Sequence, residues 1–245
     1  MVIAAIVAGG SGARMGTTVP KQFLKLGDRS VLIRTVDVFV NHPQVDAVII
    51  GVPKEWIRYT EQLLEARYGK RRRLRVTEGG ASRNETLWKI CQTAERYHPE
   101  DDSVLVTHDA VRPFVTAEMI TACIEALNGE SMETAATAAI PSTDTILHVT
   151  EKGLVKDVPS RSSMMQAQTP QTMRLGAWKK LYPAMKASER ELRTDVSGIF
   201  RAAGYRVKVV PGARTNIKIT TPEDLEYAKI LAAKADREEG EKSNV

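Results

Sequence analysis

The order of the apolar runs constrains this chain more than any other feature. Met1 to Ala8 (MVIAAIVA), Val45 to Val52, Leu74 to Thr77 and Ser103 to Thr107 are short, largely apolar runs that read as strands. Between them lie segments with apolar residues at helical spacing. Ser30 to His42 carries Val31, Leu32, Val36, Phe39 and Val40 on one face, and Glu55 to Tyr68 follows the same period. Ser82 to Tyr97 opens with Ser-Arg-Asn-Glu, a capping box, and Thr116 caps a helix to Leu127. Strand and helix in strict alternation predict an α/β fold: a Rossmann-like, mostly parallel sheet with helices on both faces.

The pattern changes after Thr134. TAATAAIP, DTILHVTEKGLVKDVP and SMMQAQTPQTM contain strand-like runs, a turn at Glu151-Lys-Gly153 and no helix. This predicts an antiparallel β-arm over about residues 140–168. Such an arm cannot bury both of its faces alone, so it is expected to pack on a second copy and make a homodimer. Helices at Gly176–Lys186 and Asp195–Ala203 follow, then strands at Tyr205–Val210 and Asn216–Thr220. Thr221-Pro-Glu-Asp224 opens the last helix, with proline at the first helical position. One domain over 1–234 and a polar, disordered tail over 235–245 complete the expected organisation.

Composition narrows the function classes. No apolar run reaches the roughly 20 residues that span a bilayer, and the first residues enter a strand without a basic leader, so a cytoplasmic protein and no membrane partner are expected. Cys91 and Cys123 form no CxxC pair and read as small buried hydrophobes; the four histidines show no zinc spacing. The net charge of +5 suits an anionic small substrate as well as a nucleic acid. The densest basic run, Arg67 to Arg75, joins a helix to a strand with Tyr68 as its sole aromatic, which favours a solvated loop over a nucleic-acid contact.

The loop after the first run, VAGGSGARMGTTVPKQFL, carries the chemistry. Its glycines stand at Gly9, Gly10, Gly12 and Gly16. GxGxxG would need glycine where Met15 sits, and a P-loop would need Lys-Ser or Lys-Thr after glycine, so both familiar patterns fail. The loop still leaves a strand at its carboxyl end, where open α/β sheets bind ligands. Arg14 and Lys21 are the distinguishing residues. An enzyme that cleaves a triphosphate between its α- and β-phosphates must stabilise charge on departing pyrophosphate, and cations at that place do so. A nicotinamide oxidoreductase and a non-catalytic nucleotide or RNA binder are the competing readings.

AGGSGARMG with PKQF resembles the signature of the sugar-phosphate cytidylyltransferases. The likeness continues in order through GGASRNET (79–86), THDAVRPF (107–114), STDTI (142–146), RSSMMQAQTPQTM (161–173), TDVSGIF (194–200) and NIKITTPEDL (216–225). The resemblance implies that CTP lies on Ala8, Gly9, Gly10 and Gly12, with cytosine read by the backbone of Gly80 and Ala81 and the side chain of Thr86. It implies catalytic roles for Arg14, Lys21 and Lys218. Asp109, Arg112, Arg161, Thr169 and Thr194 would contact the sugar phosphate, with Arg161 reaching into a partner's pocket. An acidic residue at a strand's carboxyl end can hold Mg²⁺ beside triphosphate oxygens, so Asp109 is also the expected metal ligand and Mg²⁺ the expected cofactor.

Ordinary readings stand beside these. Lys218 lies within an apolar strand-like run, where an unpartnered ammonium is costly and a phosphate would be a natural partner, yet alternation also allows it to face solvent. Thr86 could be a plain helix residue, Asp195 a helix cap, and Arg161 a solvated arm residue; His108 has no assigned role. The family implies transfer of a cytidylyl group from CTP to a five-carbon polyol phosphate, releasing pyrophosphate. A phosphate monoester is largely dianionic at neutral pH, so no general base is needed. Two branches share this machinery. AGG in place of AAG, Thr107 and TDVSGIF point to D-ribitol 5-phosphate, hence CDP-ribitol for teichoic acid of a bacterial cell wall. Methylerythritol phosphate, for isoprenoid synthesis, is the alternative.

Overall fold

The structure is a computed structural model and describes residues 1–9 and 19–243. Gly10, Gly12 and Arg14 lie outside the described residues. The strands are β1 (Val2–Val7), β2 (Lys25–Leu26), β3 (Arg29–Ser30), β4 (Ala47–Val52), β5 (Leu74–Glu78) and β6 (Val104–Asp109). They continue with β7 (Thr134–Pro141), β8 (His148–Val149), β9 (Val155–Asp157), β10 (Met165–Arg174) and β11 (Arg206–Pro211). The helices are α1 (Val31–Val40), α2 (Ile57–Tyr68), α3 (Arg83–Ala94), α4 (Ala117–Glu125), α5 (Leu175–Ala184), α6 (Ala187–Leu192), α7 (Val196–Ala202) and α8 (Pro222–Ser243).

Seven strands form the central sheet in the order β11-β7-β10-β6-β1-β4-β5. Within it β10 alone runs antiparallel to its neighbours. The side-chain period of two splits the core between the faces. On one face Ala4, Ile6, Val48, Ile50 and Val106 meet α1, α2 and α4; on the other Ile3, Ala5, Ile49, Leu105 and Met173 meet α3, α5 and α7. Both cysteines are consumed in this packing. Burial pushes the Cys123 thiol up to about 12. No described helix is long and apolar enough to cross a membrane.

Caps fix where the helices begin. Ser82 Oγ accepts from the Glu85 amide at 3.1 Å, but the Glu85 carboxylate reaches past Ser82 to the Ala81 amide at 2.8 Å, so the expected box is only half made. Thr116 accepts from the Met119 amide and Asp195 from the Gly198 amide at 2.9 Å. Asp195 is therefore a helix cap. At α8 the Asp224 carboxylate takes the amides of Thr220 and Thr221 while Thr221 Oγ1 takes that of Asp224.

Two expectations differ. Asn216–Thr220 is irregular and pairs with no described strand; a backbone hydrogen bond runs from the Ile219 amide to the Val111 carbonyl, just after β6. Ile219 is instead buried with Leu26 and Val31 beneath Ala228 and Ala232 of α8, and Ile217, partly buried, packs against that cluster. The chain after 234 is helical through Ser243, because Asp236 is held by Arg29 at 2.7 Å and by both terminal nitrogens of Arg34 at 2.9 and 2.6 Å. The short α6 had no signal in the apolar pattern. The arm itself is present: β8 and β9 form a separate antiparallel pair beyond β7 and β10, turned at Gly153 with φ +76°.

Candidate active site

Parallel register brings three strand ends to one level: Val7 of β1 is the partner of Asp109 on one side and of Gly51 on the other. A pocket opens there, lined by Ala8, Gly9, Lys21, Gly80, Thr86 and Asp109 among others. This is the carboxyl edge, where the chain departs from β1 to β4 on one side and returns to β6 on the other. Glycine makes the approach possible. A Cβ on Gly51 would stand 2.4 Å from the Thr86 methyl, and one on Gly9 3.0 Å from the Thr86 hydroxyl.

The PKQF stretch is a 3-10 turn, Lys21–Phe23. Phe23 stacks on Trp56 with ring centroids 4.8 Å apart, and Gln22 Nε2 donates to the Ala8 carbonyl at 2.8 Å. These two neighbours seat Lys21 in the pocket, where it is buried. The segment expected to read the base is braced from within. Thr86 Oγ1 accepts from the Gly80 amide and donates to the Ser82 carbonyl, both at 2.9 Å. With the Ala81 amide on Glu85, the N–H groups of Gly80 and Ala81 are spent on the loop, as is the Thr86 hydroxyl.

A second pocket adjoins the first, lined by Arg112, Gln168, Thr169, Thr194 and Asp195, and both pockets share Arg83, Asp109 and Lys218. That shared line is a charge cluster. Asp109 Oδ1 receives Arg83 Nε at 2.8 Å; Oδ2 lies 2.9 Å from Lys218 Nζ and 3.8 Å from Arg112 Nε. Burial alone would raise the Asp109 carboxyl, but Arg83 and Lys218 outweigh it and hold it well below the usual carboxylate range. Burial lowers the Arg112 guanidinium, which also donates to the Asn216 carbonyl at 2.8 Å. Lys218 thus points into the site and not away from it.

Arg83 is the residue that sequence reasoning missed; it was absorbed into the helix-capping pattern. Arg161 sits apart, exposed on the arm, with its guanidinium 3.4 Å from the Thr143 carbonyl. Among the described residues no group of three or more His, Cys, Asp or Glu side chains could hold a metal ion. Both Asp109 oxygens already face cations, so a divalent ion there would have to displace like charges. The described residues do not by themselves make a Mg²⁺ site at Asp109; oxygens of the triphosphate would have to complete it, and no step below runs through a metal.

A glycine-lined pocket at the carboxyl edge, a buried lysine on the loop that follows β1 and a cationic line shared with a second pocket define a nucleotidyltransferase of the α/β class. Comparison with known proteins narrows this. Residues 2–234 match the family model described as 2-C-methyl-D-erythritol 4-phosphate cytidylyltransferase, IspD. The chain belongs to that family and is a cytidylyltransferase. It is 39% identical over 238 residues to a protein named ribitol-5-phosphate cytidylyltransferase from Streptococcus pneumoniae serotype 19F (strain G54), covering 96% of this chain and 100% of that one. The protein of the same name from S. pneumoniae strain ATCC 700669 / Spain 23F-1 is 38% identical. Among solved structures, 4-diphosphocytidyl-2C-methyl-D-erythritol synthase from Anaerococcus prevotii DSM 20548 is 28% identical with TM-score 0.76, covering 94% of this chain and 95% of that one. The 2-C-methyl-D-erythritol 4-phosphate cytidylyltransferase of Francisella tularensis is 28% identical with TM-score 0.74, covering 93% and 97%.

Proposed function

We propose that this cytidylyltransferase transfers the cytidylyl group of CTP to D-ribitol 5-phosphate, giving CDP-ribitol and pyrophosphate. The observation that carries the reading is the line of Arg83, Asp109 and Lys218 common to two adjoining pockets. CTP occupies the pocket of Ala8, Gly9 and Lys21; the acceptor phosphate enters between Arg112 and Lys218. An acceptor phosphate oxygen attacks the α-phosphorus, the bond to the bridging α–β oxygen breaks, and its electrons leave with pyrophosphate. The obstacle is bringing one anion against another. Lys218 and Arg83 stand where both meet, Lys21 faces the departing diphosphate, and Arg14 on the same loop is assigned the same task. Catalysis of this kind is positioning and charge stabilisation, without a general base.

The choice of ribitol rests on the S. pneumoniae relatives, and with it a role in supplying teichoic acid synthesis of the cell wall. The family description and the solved relatives favour methylerythritol phosphate as the second reading. The arm would join two copies: Leu147, Val149, Leu154, Val155 and Val158 are all exposed on it. Arg161 and the neighbouring Thr143 segment would then serve the partner's acceptor pocket. Pyrophosphate release from CTP, measured with each polyol phosphate in turn, tests the substrate. Release with methylerythritol phosphate alone overturns the ribitol reading. In the same assay Lys21→Ala should cut turnover by about 10²–10³, by analogy with loss of a single charge-stabilising donor.

A further inference from the structure

His108 is wholly buried at the end of β6, lines neither pocket, and has no part in the scheme above. Its ring packs against Phe39 at 5.1 Å between centroids. Nε2 lies 3.0 Å from the Arg112 carbonyl oxygen and Nδ1 3.0 Å from Thr169 Oγ1. A carbonyl only accepts, so Nε2 carries the hydrogen. A ring wholly removed from water, with no carboxylate on either nitrogen, is neutral, and Nδ1 is then a bare acceptor. The Thr169 hydroxyl must donate to it, while its oxygen receives the Asp109 amide at 3.2 Å. The turn that bears Arg112 closes on Asp109 through its own amide at 3.0 Å. One imidazole therefore ties both ends of the Asp109–Arg112 turn to Thr169 of β10.

We propose that His108 is a positioning residue for the acceptor half of the site: it registers Arg112 against β10 and commits the Thr169 proton, so that Thr169 offers the acceptor pocket an oxygen lone pair and no hydrogen. Thr169 then cannot donate to the acceptor phosphate. It takes a hydroxyl of the polyol, and the phosphate is left to Arg112 and Lys218. The inference rests on the reading of that pocket as the polyol-phosphate site.

The test combines kinetics on both substrates with ¹⁵N NMR of the histidine side chains in the unaltered protein. His108→Asn places a carboxamide oxygen where Nδ1 stands and can still accept from Thr169. His108→Phe fills the space without an acceptor, and His108→Gln reaches the Arg112 carbonyl alone. We expect a bare Nδ1 and a protonated Nε2. We expect the KM for D-ribitol 5-phosphate to rise about tenfold in the Phe and Gln variants, the worth of one buried hydrogen bond. The KM for CTP should stay within about twofold, and the Asn variant should recover most of the loss. Equal rises for both substrates, an Asn variant no better than Gln, or a proton found on Nδ1 would each overturn the proposal. Should the Phe variant not fold, the Asn–Gln pair and the NMR assignment decide. Absence of turnover with ribitol 5-phosphate in the unaltered protein would sink the substrate reading instead, and the NMR result stands apart from it.

Discussion

Arg83 carries more of the site than its sequence context announces. Its Nε holds Asp109 at 2.8 Å, a second nitrogen comes within 3.5 Å of Thr107 Oγ1, and the side chain borders both pockets. Arg112 borders the acceptor pocket only. The two arginines should therefore separate kinetically. Arg83→Ala should lower kcat/KM for CTP and for the acceptor together, by about 10²–10³ if it stabilises the charge between them. Arg112→Ala should act mainly on the acceptor KM. Steady-state kinetics of both variants checks this, and an Arg83→Ala enzyme with unaltered turnover would remove Arg83 from the mechanism. Lys218 was legible because a charge within an apolar run needs a partner, Asp109 because it ends a strand at the carboxyl edge, and Arg112 through the family resemblance. Arg83 was not, because a helix's first turn accommodates an arginine without special reason. Only the tertiary contact with Asp109 reveals it, and that contact spans 26 positions of chain.

The same contrast holds for elements. The strands of the parallel sheet and the helices that cover it are readable because burial on fixed faces forces a period of two or 3.6. Asn216–Thr220 keeps a strand's alternation yet joins no sheet, since the apolar side chains are satisfied under α8. Pattern reports which side chains are buried, not what the backbone pairs with. The last turns of α8 escape the pattern for the opposite reason: they are held by Arg29 and Arg34 on Asp236, an ion pair with no periodicity. The arm is the element with an unmet need. Leu154 and Val155 are 66% and 55% exposed on a two-stranded piece that has no core of its own. If a second copy covers them, Val155→Asp should shift the protein from dimer to monomer in sedimentation velocity, and acceptor turnover should fall with it, because Arg161 would lose its pocket. A variant that remains dimeric, or a monomer with full activity, would detach the arm from the site.

Across the molecule, two groups at the carboxyl edge that could act as bases, Asp109 and His108, are both held away from neutrality. The cations around Asp109 overcome burial and keep its carboxyl ionised far into acid. Burial pushes the His108 imidazole down to about 4, so the ring is neutral near pH 7. The acceptor itself changes charge near neutrality, because its phosphate loses its second proton with pKa near 6. Its dianion is the nucleophile in the proposed reaction. The sign follows: kcat/KM for the acceptor should be level above about pH 7 and fall tenfold per unit as pH drops below about 6, where the monoanion replaces the dianion. A phosphonate analogue with a different second pKa should move that limb by the difference between the two acids. A limb that stays in place when the acceptor's acidity is changed would mean that a protein group takes the proton, and the scheme of charge gathered around a ready-made nucleophile would give way to general-base catalysis.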